Sequence, residues 1–300
     1  MKGIILDEVE KRNIEMVLEK GEDVTICPKE SSVDVQKSRV RMFQVARNIL
    51  VTGTNQGIGF GLVKELVKRN PPPGRIFAAC LNPPGPESTA LQNFASQYGN
   101  THIIQLDVTN VSSIRRVASE VESHLKGQGL NLLINNAGII SQAYFLENVN
   151  QEDMLLSYKT NTVGPLLMVK EFLPLLKKAA KETTKDKVGS PKAVVVNISS
   201  IASSIGQGFD PSLAMIPPLY QYRASKTALN MVNACLAVEL KKDGISSVLL
   251  HPGWVKTVMG TEQAPMTVEE STKGLVKVID GLDPSSSGTF LSWQGNKTVW

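Results

Sequence analysis

The chain has 300 residues, enough for one large α/β domain or two small ones, and 42% hydrophobic with 20% charged residues is an ordinary globular balance. Its net charge of +4, with no Lys/Arg run and no interleaving of basic and aromatic residues, excludes a nucleic-acid footprint. Cys27, Cys80 and Cys235 form no CxxC, and His102, His124 and His251 are scattered, so free thiols in a reducing, cytoplasmic setting are expected and a metal site is not.

The N-terminal apolar run GIIL is too short for a signal peptide, and no stretch approaches the roughly 18 apolar residues of a membrane span. Residues 7–20 have amphipathic spacing at Ile14, Val17 and Leu18, a helix that could bind a partner. The rest of 1–41 is polar and aperiodic, so 1–41 is expected to be a flexible extension and 42–300 the domain. RNILVTG predicts a first strand, and GFGLVKELVKRN a helix stopped by Pro71–Pro73. RIFAAC is a second strand, STALQNFASQYGN a helix and HIIQLDVT a third strand. SSIRRVASEVESHLKGQG follows as a helix with serine caps, ending at Gly127/Gly129. LNLLINNAG is a fourth strand, 151–181 one long helix, and AVVVNISS a fifth strand. RASKTALNMVNACLAVELKKDG, ISSVLLHPG, TVEESTKGLVKVIDGL and GTFLSW then read as helix, strand, helix and strand. Apolar strands alternating with helices predict an α/β fold, a single doubly wound Rossmann domain whose parallel sheet of about seven strands is covered on both faces.

The first strand runs into VTGTNQGIGFG, where Gly53, Gly57 and Gly59 stand at G-x-x-x-G-x-G spacing. A strand end, a tight glycine turn and a helix start are what a dinucleotide pyrophosphate needs: backbone can approach it, and free N–H groups meet it. TGTNQGIG resembles the TGxxxGxG signature of the short-chain dehydrogenase/reductases. NNAG at Asn135–Gly138, YRASK at 222–226 and HPGWVKT at 251–257 resemble that family's later motifs, in order. TNTVGPLLMVKEFLPLL, YQYRASKTALN, MTVEEST and the tryptophan-ended tail are similar to the branch of sniffer-type carbonyl reductases and C-factor-like proteins.

Lys226 follows Tyr222 by one helical turn, on the same face; Tyr220 faces elsewhere. A nearby ammonium favours phenolate and lowers a phenol's pKa, which would fit Tyr222 for acid–base work. Ser199 and Ser200 end the fifth strand on opposite faces, so only one can hold a substrate oxygen. The resemblance assigns that role to Ser200, with Ser203 and Ser204 as weaker candidates, and makes Asn161 the fourth member, a relay partner of the lysine. It also implies cofactor contacts. In the loop these come from Gly53, Asn55, Gln56, Gly57, Ile58 and Gly59; after the third strand, from Asp107 and Val108; along the ribose, from Asn135, Ala137 and Gly138. Tyr222, Lys226, Pro252, Gly253, Val255 and Thr257 complete the set. The second strand ends in Cys80-Leu81-Asn82, without the acid that would bond a ribose 2′-hydroxyl, so NADP(H) is favoured over NAD(H), with Arg75 or Lys64 as candidate phosphate readers.

The insert IASSIGQGFDPSLAMIPP separates Ser200 from Tyr222, and its Phe209, Leu213, Met215 and Ile216 suggest an apolar substrate wall. The expected activity is reduction of a small-molecule aldehyde, ketone or quinone carbonyl. The alternatives are a C-factor-like signalling or scaffold protein that binds the cofactor with little turnover, and, more remotely, an epimerase. The apolar positions of ALNMVNACLAVEL would suit either the core or a homodimer contact.

Overall fold

The computed structural model describes residues 47–182, 193–207 and 217–300. The candidate helix at 7–20 and the insert residues Phe209, Leu213, Met215 and Ile216 lie outside them.

Seven strands form one parallel sheet in the order β3-β2-β1-β4-β5-β6-β7. They are β1 (Asn48–Thr52), β2 (Arg75–Cys80), β3 (Thr101–Gln105), β4 (Leu132–Asn135), β5 (Ala193–Ile198), β6 (Ile245–His251) and β7 (Phe290–Ser292). Every side chain of β1, β4 and β5 is buried, as apolar runs covered on both faces must be. Alternate residues feed different layers. Ile49 and Val51 join Leu62, Leu66, Leu275 and Ile279 on one face. Leu50 joins Ile114, Val117, Phe172 and Leu236 on the other. The helices behind these layers are α1 (Gly57–Val67), α2 (Thr89–Ala95), α3 (Val111–Leu125), α4 (Gln151–Tyr158), α5 (Gly164–Lys181), α6 (Tyr220–Leu240) and α7 (Val268–Asp280). The strand order reverses between β1 and β4, and the carboxyl ends of the strands flanking such a switch form the ligand crevice of open α/β sheets.

Three local differences from the sequence reading have physical causes. Asn110, not a serine, caps α3: its side chain accepts from Ser113 N, and Lys126 closes the other end in the left-handed region at φ 47°. The long helix at 151–181 is interrupted by a π-turn at Lys159–Val163. Pro165 has no N–H, so the usual bond to the Asn161 carbonyl four residues back cannot form. Helix α6 starts at Tyr220, earlier than expected, which puts Tyr222 in its first turn. Its apolar positions are divided: Leu229, Leu236 and Leu240 are buried, whereas Met231 and Val238 are exposed.

Candidate active site

The glycine turn is built by close approach. Gly53 has φ 69°, where a Cβ is strained, and that Cβ would stand 2.8 Å from Ala137 Cα. A Cβ on Gly59 would land on the Gly53 carbonyl oxygen and 2.5 Å from Asn136 Nδ2. Asn136 and Thr52 lock the turn to the end of β4. Asn136 Nδ2 donates to the carbonyls of Thr52 (2.9 Å) and Gly53 (3.1 Å), and Thr52 Oγ1 accepts from the N–H groups of Asn136 and Ala137, both at 3.0 Å. Neither residue was singled out from the sequence, although the doubled asparagine of NNAG was the available signal. Gln56 precedes α1 with no side-chain cap. The first N–H groups of α1 therefore face the turn without a side-chain acceptor, the arrangement a phosphate can fill. Thr257 sits beside the turn, its Cγ2 3.3 Å from where a Gly57 Cβ would be, and its Oγ1 accepts from Gly260 N at 2.9 Å.

The four candidate catalytic side chains converge from three elements. Lys226 is 4% exposed and donates to the Ile198 carbonyl at the end of β5 (2.8 Å). Its Nζ lies 5.9 Å from the Tyr222 ring centroid. Ser200 stands close enough to the Tyr222 phenol to oppose the rise in its pKa. Asn161 lies in the π-turn. Its Oδ1 accepts from Ile139 N (2.8 Å), and its Nδ2 donates to the Ile139 carbonyl (2.9 Å) and to Ser225 Oγ (3.0 Å). A Cβ on Gly138 would stand 3.1 Å from Asn161 Oδ1 and 3.5 Å from Lys226 Nζ, so a glycine there leaves room between them.

The rival serines are committed elsewhere. Ser199 is buried and donates to Asn230 Oδ1 at 2.7 Å. Ser203 donates to the Ser200 carbonyl at 2.6 Å and accepts from Asn230 Nδ2 at 2.8 Å. Ser204 accepts from Gln207 N at 3.1 Å. Tyr220 is exposed at the helix start.

Burial dominates the electrostatics. It brings the Lys226 pKa down to about 8. It pushes the Tyr222 phenol above its usual value, with the nearby Ser200 opposing it. This corrects the expectation that the lysine charge lowers the tyrosine pKa: desolvation of the phenol is the larger effect, and the ammonium is directed at the Ile198 carbonyl. A protonated phenol is the form that can donate.

The remaining predicted contacts fall along the same strand ends with two exceptions. Asn135 is buried, and its Nδ2 donates to Asn197 Oδ1 at 2.9 Å, while Asn197 Nδ2 donates to Asn233 Oδ1 at 3.0 Å. Its side chain thus tethers β4 to β5, and a ribose contact would have to come from backbone. Arg75 opens β2, at the opposite end of the strand from Leu81, so it cannot read a phosphate at the strand's other end. Lys64 lies 4.9 Å over the Phe60 ring. Leu81 is 63% exposed, and with Asp107 and Arg116 it lines a cavity of about 460 Å³ at the ends of β2 and β3. Asp107 Oδ1 is held by Thr109 N (2.8 Å) and Oγ1 (2.7 Å). Val108 is buried against Gly164, and Asn55, Ile58, Ala137 and Gly253 are half-buried around the turn and β6 end. Pro252 and Val255 are buried, the Pro252 carbonyl accepting from Ser271 Oγ at 2.6 Å. His251 was not assigned a role from the sequence. Its Nδ1 accepts from Ile201 N at 3.2 Å, directly after Ser200. Among the described residues no group of His, Cys, Asp and Glu could hold a metal, and no helix is long and apolar enough to cross a membrane.

The short chain dehydrogenase family model matches residues 47–267. The NADPH-bound carbonyl reductase from chicken fatty liver superposes with a TM-score of 0.80 at 43% identity, over 85% of this chain and 99% of that one. Carbonyl reductase Sniffer of D. melanogaster superposes at 0.79 with 38% identity, over 85% and 100%. C-signal of Myxococcus xanthus is 34% identical over 171 residues, 57% of this chain and 93% of that protein.

Proposed function

Because this chain belongs to the short-chain dehydrogenase family, we propose that it is an NADP(H)-dependent carbonyl reductase acting on aldehydes, ketones or quinones through Tyr222, Ser200, Lys226 and Asn161. It is an oxidoreductase of the short-chain dehydrogenase and carbonyl reductase kind; the cofactor preference, the substrate class and the four roles are our reading. The observation that carries it is the convergence of Ser200 and Tyr222 beside the buried Lys226, at the mouth of a glycine turn that only Gly53 and Gly59 can form.

A dinucleotide held at the glycine turn would supply the hydride for the carbonyl carbon. The chain's own residues handle the oxygen. Ser200 Oγ positions it, and the Tyr222 phenol donates the proton that turns alkoxide into alcohol. Lys226 returns a proton to the tyrosine side. Asn161 contributes its main-chain carbonyl, which Pro165 cannot engage from the next turn, as a place for a relay water. The glycine turn and the uncapped start of α1 fit the pyrophosphate, and the absence of an acid at Leu81 leaves room for a 2′-phosphate.

A second reading, a cofactor-binding signal with little turnover, is favoured by the similarity to C-signal. Retention of the whole Tyr222–Lys226–Ser200 cluster argues against it. NADPH oxidation by purified protein with aromatic aldehydes, quinones and diketones decides between them. Turnover that Tyr222→Phe abolishes supports the reductase; tight cofactor binding without turnover on the whole panel supports the signal.

A further inference from the structure

A second cavity, of about 530 Å³, opens at the other end of the strands, where β2 begins and α3 ends. The length of β2 separates it from the glycine turn, roughly 16 Å at the usual rise per residue. Its titratable lining is Arg75, His102, His124 and Lys126, with no carboxylate among the lining residues. The two imidazoles face each other at 5.2 Å, and both pack on Phe77, at 5.6 and 6.0 Å. His124 Nδ1 donates to the Glu120 carbonyl at 2.9 Å, which directs its other nitrogen away from α3. The Glu120 carboxylate itself is paired with Arg116 at 3.0 Å.

The neutral polar groups of the wall are already engaged. Asn100 donates to the Pro73 carbonyl (2.8 Å) and Ser123 to the Glu120 carbonyl (2.7 Å). Recognition therefore falls to the cations. One N–H of Arg75 goes to Gln128 at 3.3 Å, from a guanidinium with five donors in a planar fork. Gathering like charges without a counter-charge is unfavourable unless an anion joins them.

We propose that this cavity binds a small phosphate monoester, its dianionic phosphate held by Arg75, Lys126, His102 and His124. The volume exceeds that of a bare phosphate, so the ester's body has room. The charged groups that act on His102 are His124 and Arg75, and after burial they hold its pKa below the ordinary value. An anion between them reverses that effect, so the site binds more tightly as pH falls and His102 becomes charged.

The test follows the three histidine rings of the full-length protein by NMR, with sulfate as a dianion whose charge is constant between pH 6 and 8. Sulfate is expected to move the His102 and His124 resonances saturably and to raise the His102 pKa. Its affinity is expected to be about fivefold higher at pH 6 than at pH 8. His251, near the candidate active site, should stay unmoved. Lys126→Asn keeps a residue tolerant of the left-handed cap; it and Arg75→Gln are each expected to weaken binding about threefold or more. Glycerol 3-phosphate should compete for the same resonances. Shifts that sodium chloride reproduces at equal ionic strength, shifts confined to His251, or shifts unchanged in Lys126→Asn overturn the site. Failure of glycerol 3-phosphate to displace sulfate overturns the monoester class.

Discussion

The backbone N–H of Ile201 donates to Nδ1 of His251 at 3.2 Å, so the residue after Ser200 is pinned to the end of β6. An acceptor nitrogen must be unprotonated, and burial keeps it so, with a pKa of about 4. The folded value lies below the ordinary one. The stabilisation is therefore present in full above about pH 6.5 and is lost as pH falls toward 4. Urea unfolding should show roughly 2–3 kcal/mol lost over that window, beyond what carboxylates contribute. His251→Ala should flatten that part of the profile and lower kcat more than it raises KM, because the Ser200 turn loosens. His251→Asn, which keeps an acceptor, should restore part of kcat. An unchanged acid limb in His251→Ala would remove this role.

The rate in the reductive direction should carry the mark of Lys226, not of Tyr222. The tyrosine stays protonated well past neutrality because burial raises its pKa. The lysine, at about 8, changes charge within the working range. The kcat profile is expected to fall as pH rises through about 8, and Lys226→Arg should move that break upward if any activity survives. Tyr222→Phe should lower kcat by about 10³-fold or more and Ser200→Ala by about 10²-fold or more, both with melting temperatures near the parent's. A Ser199→Ala variant should behave differently, losing stability through the buried Asn230 contact while keeping much of its turnover.

The glycine turn should reject even a methyl group. Gly59→Ala drives a Cβ onto the Gly53 carbonyl, and Gly53→Ala meets Ala137 Cα at 2.8 Å while also holding φ 69°. Backbone cannot yield as a flexible side chain does, so each change is expected to cost about 2 kcal/mol or more and to abolish dinucleotide binding. Calorimetric melting and quenching of intrinsic fluorescence by NADPH would read the two effects separately. Gly127→Ala is a useful contrast. Nothing lies within 4 Å of its Cβ, although its φ of 90° carries a strain cost. It should lose some stability and bind cofactor normally.

Strands and the glycine turn were legible because each leaves a local mark: an apolar β-branched run, a breaker, a spaced glycine. The tyrosine–lysine pair was legible from helical spacing. Long-range consequences were not. That Ser199 and Ser203 are tied to Asn230 depends on how α6 lies across the end of β5. That Asn135 turns inward toward Asn197 depends on the register of β4 with β5. Arg75 was a candidate phosphate reader on its charge, but a strand separates it from Leu81 by its full length. The break at Lys159–Val163 had a local cause in Pro165, yet the run of helix formers around it reads as continuous.

Cofactor choice rests on the end of β2, where Leu81 is 63% exposed and belongs to the cavity that also contains Asp107 and Arg116. A carboxylate there would bond a free 2′-hydroxyl and repel a 2′-phosphate. Leu81→Asp should therefore raise KM for NADPH about tenfold or more and lower it for NADH, with little change in kcat, since the substitution lies far from Tyr222. Its exposure means that no packing is lost on substitution, and a melting curve checks that directly. Arg75→Gln should leave the NADPH/NADH ratio of kcat/KM within about twofold, because that side chain stands at the opposite end of β2. Arg116 is the cation that shares Leu81's cavity, although it already donates to the Gln105 carbonyl and pairs with Glu120 at 3.0 Å. If Arg116→Gln lowers the NADPH/NADH ratio while Arg75→Gln does not, the phosphate is read at the ends of β2 and β3; equal ratios in all three variants would place the choice elsewhere.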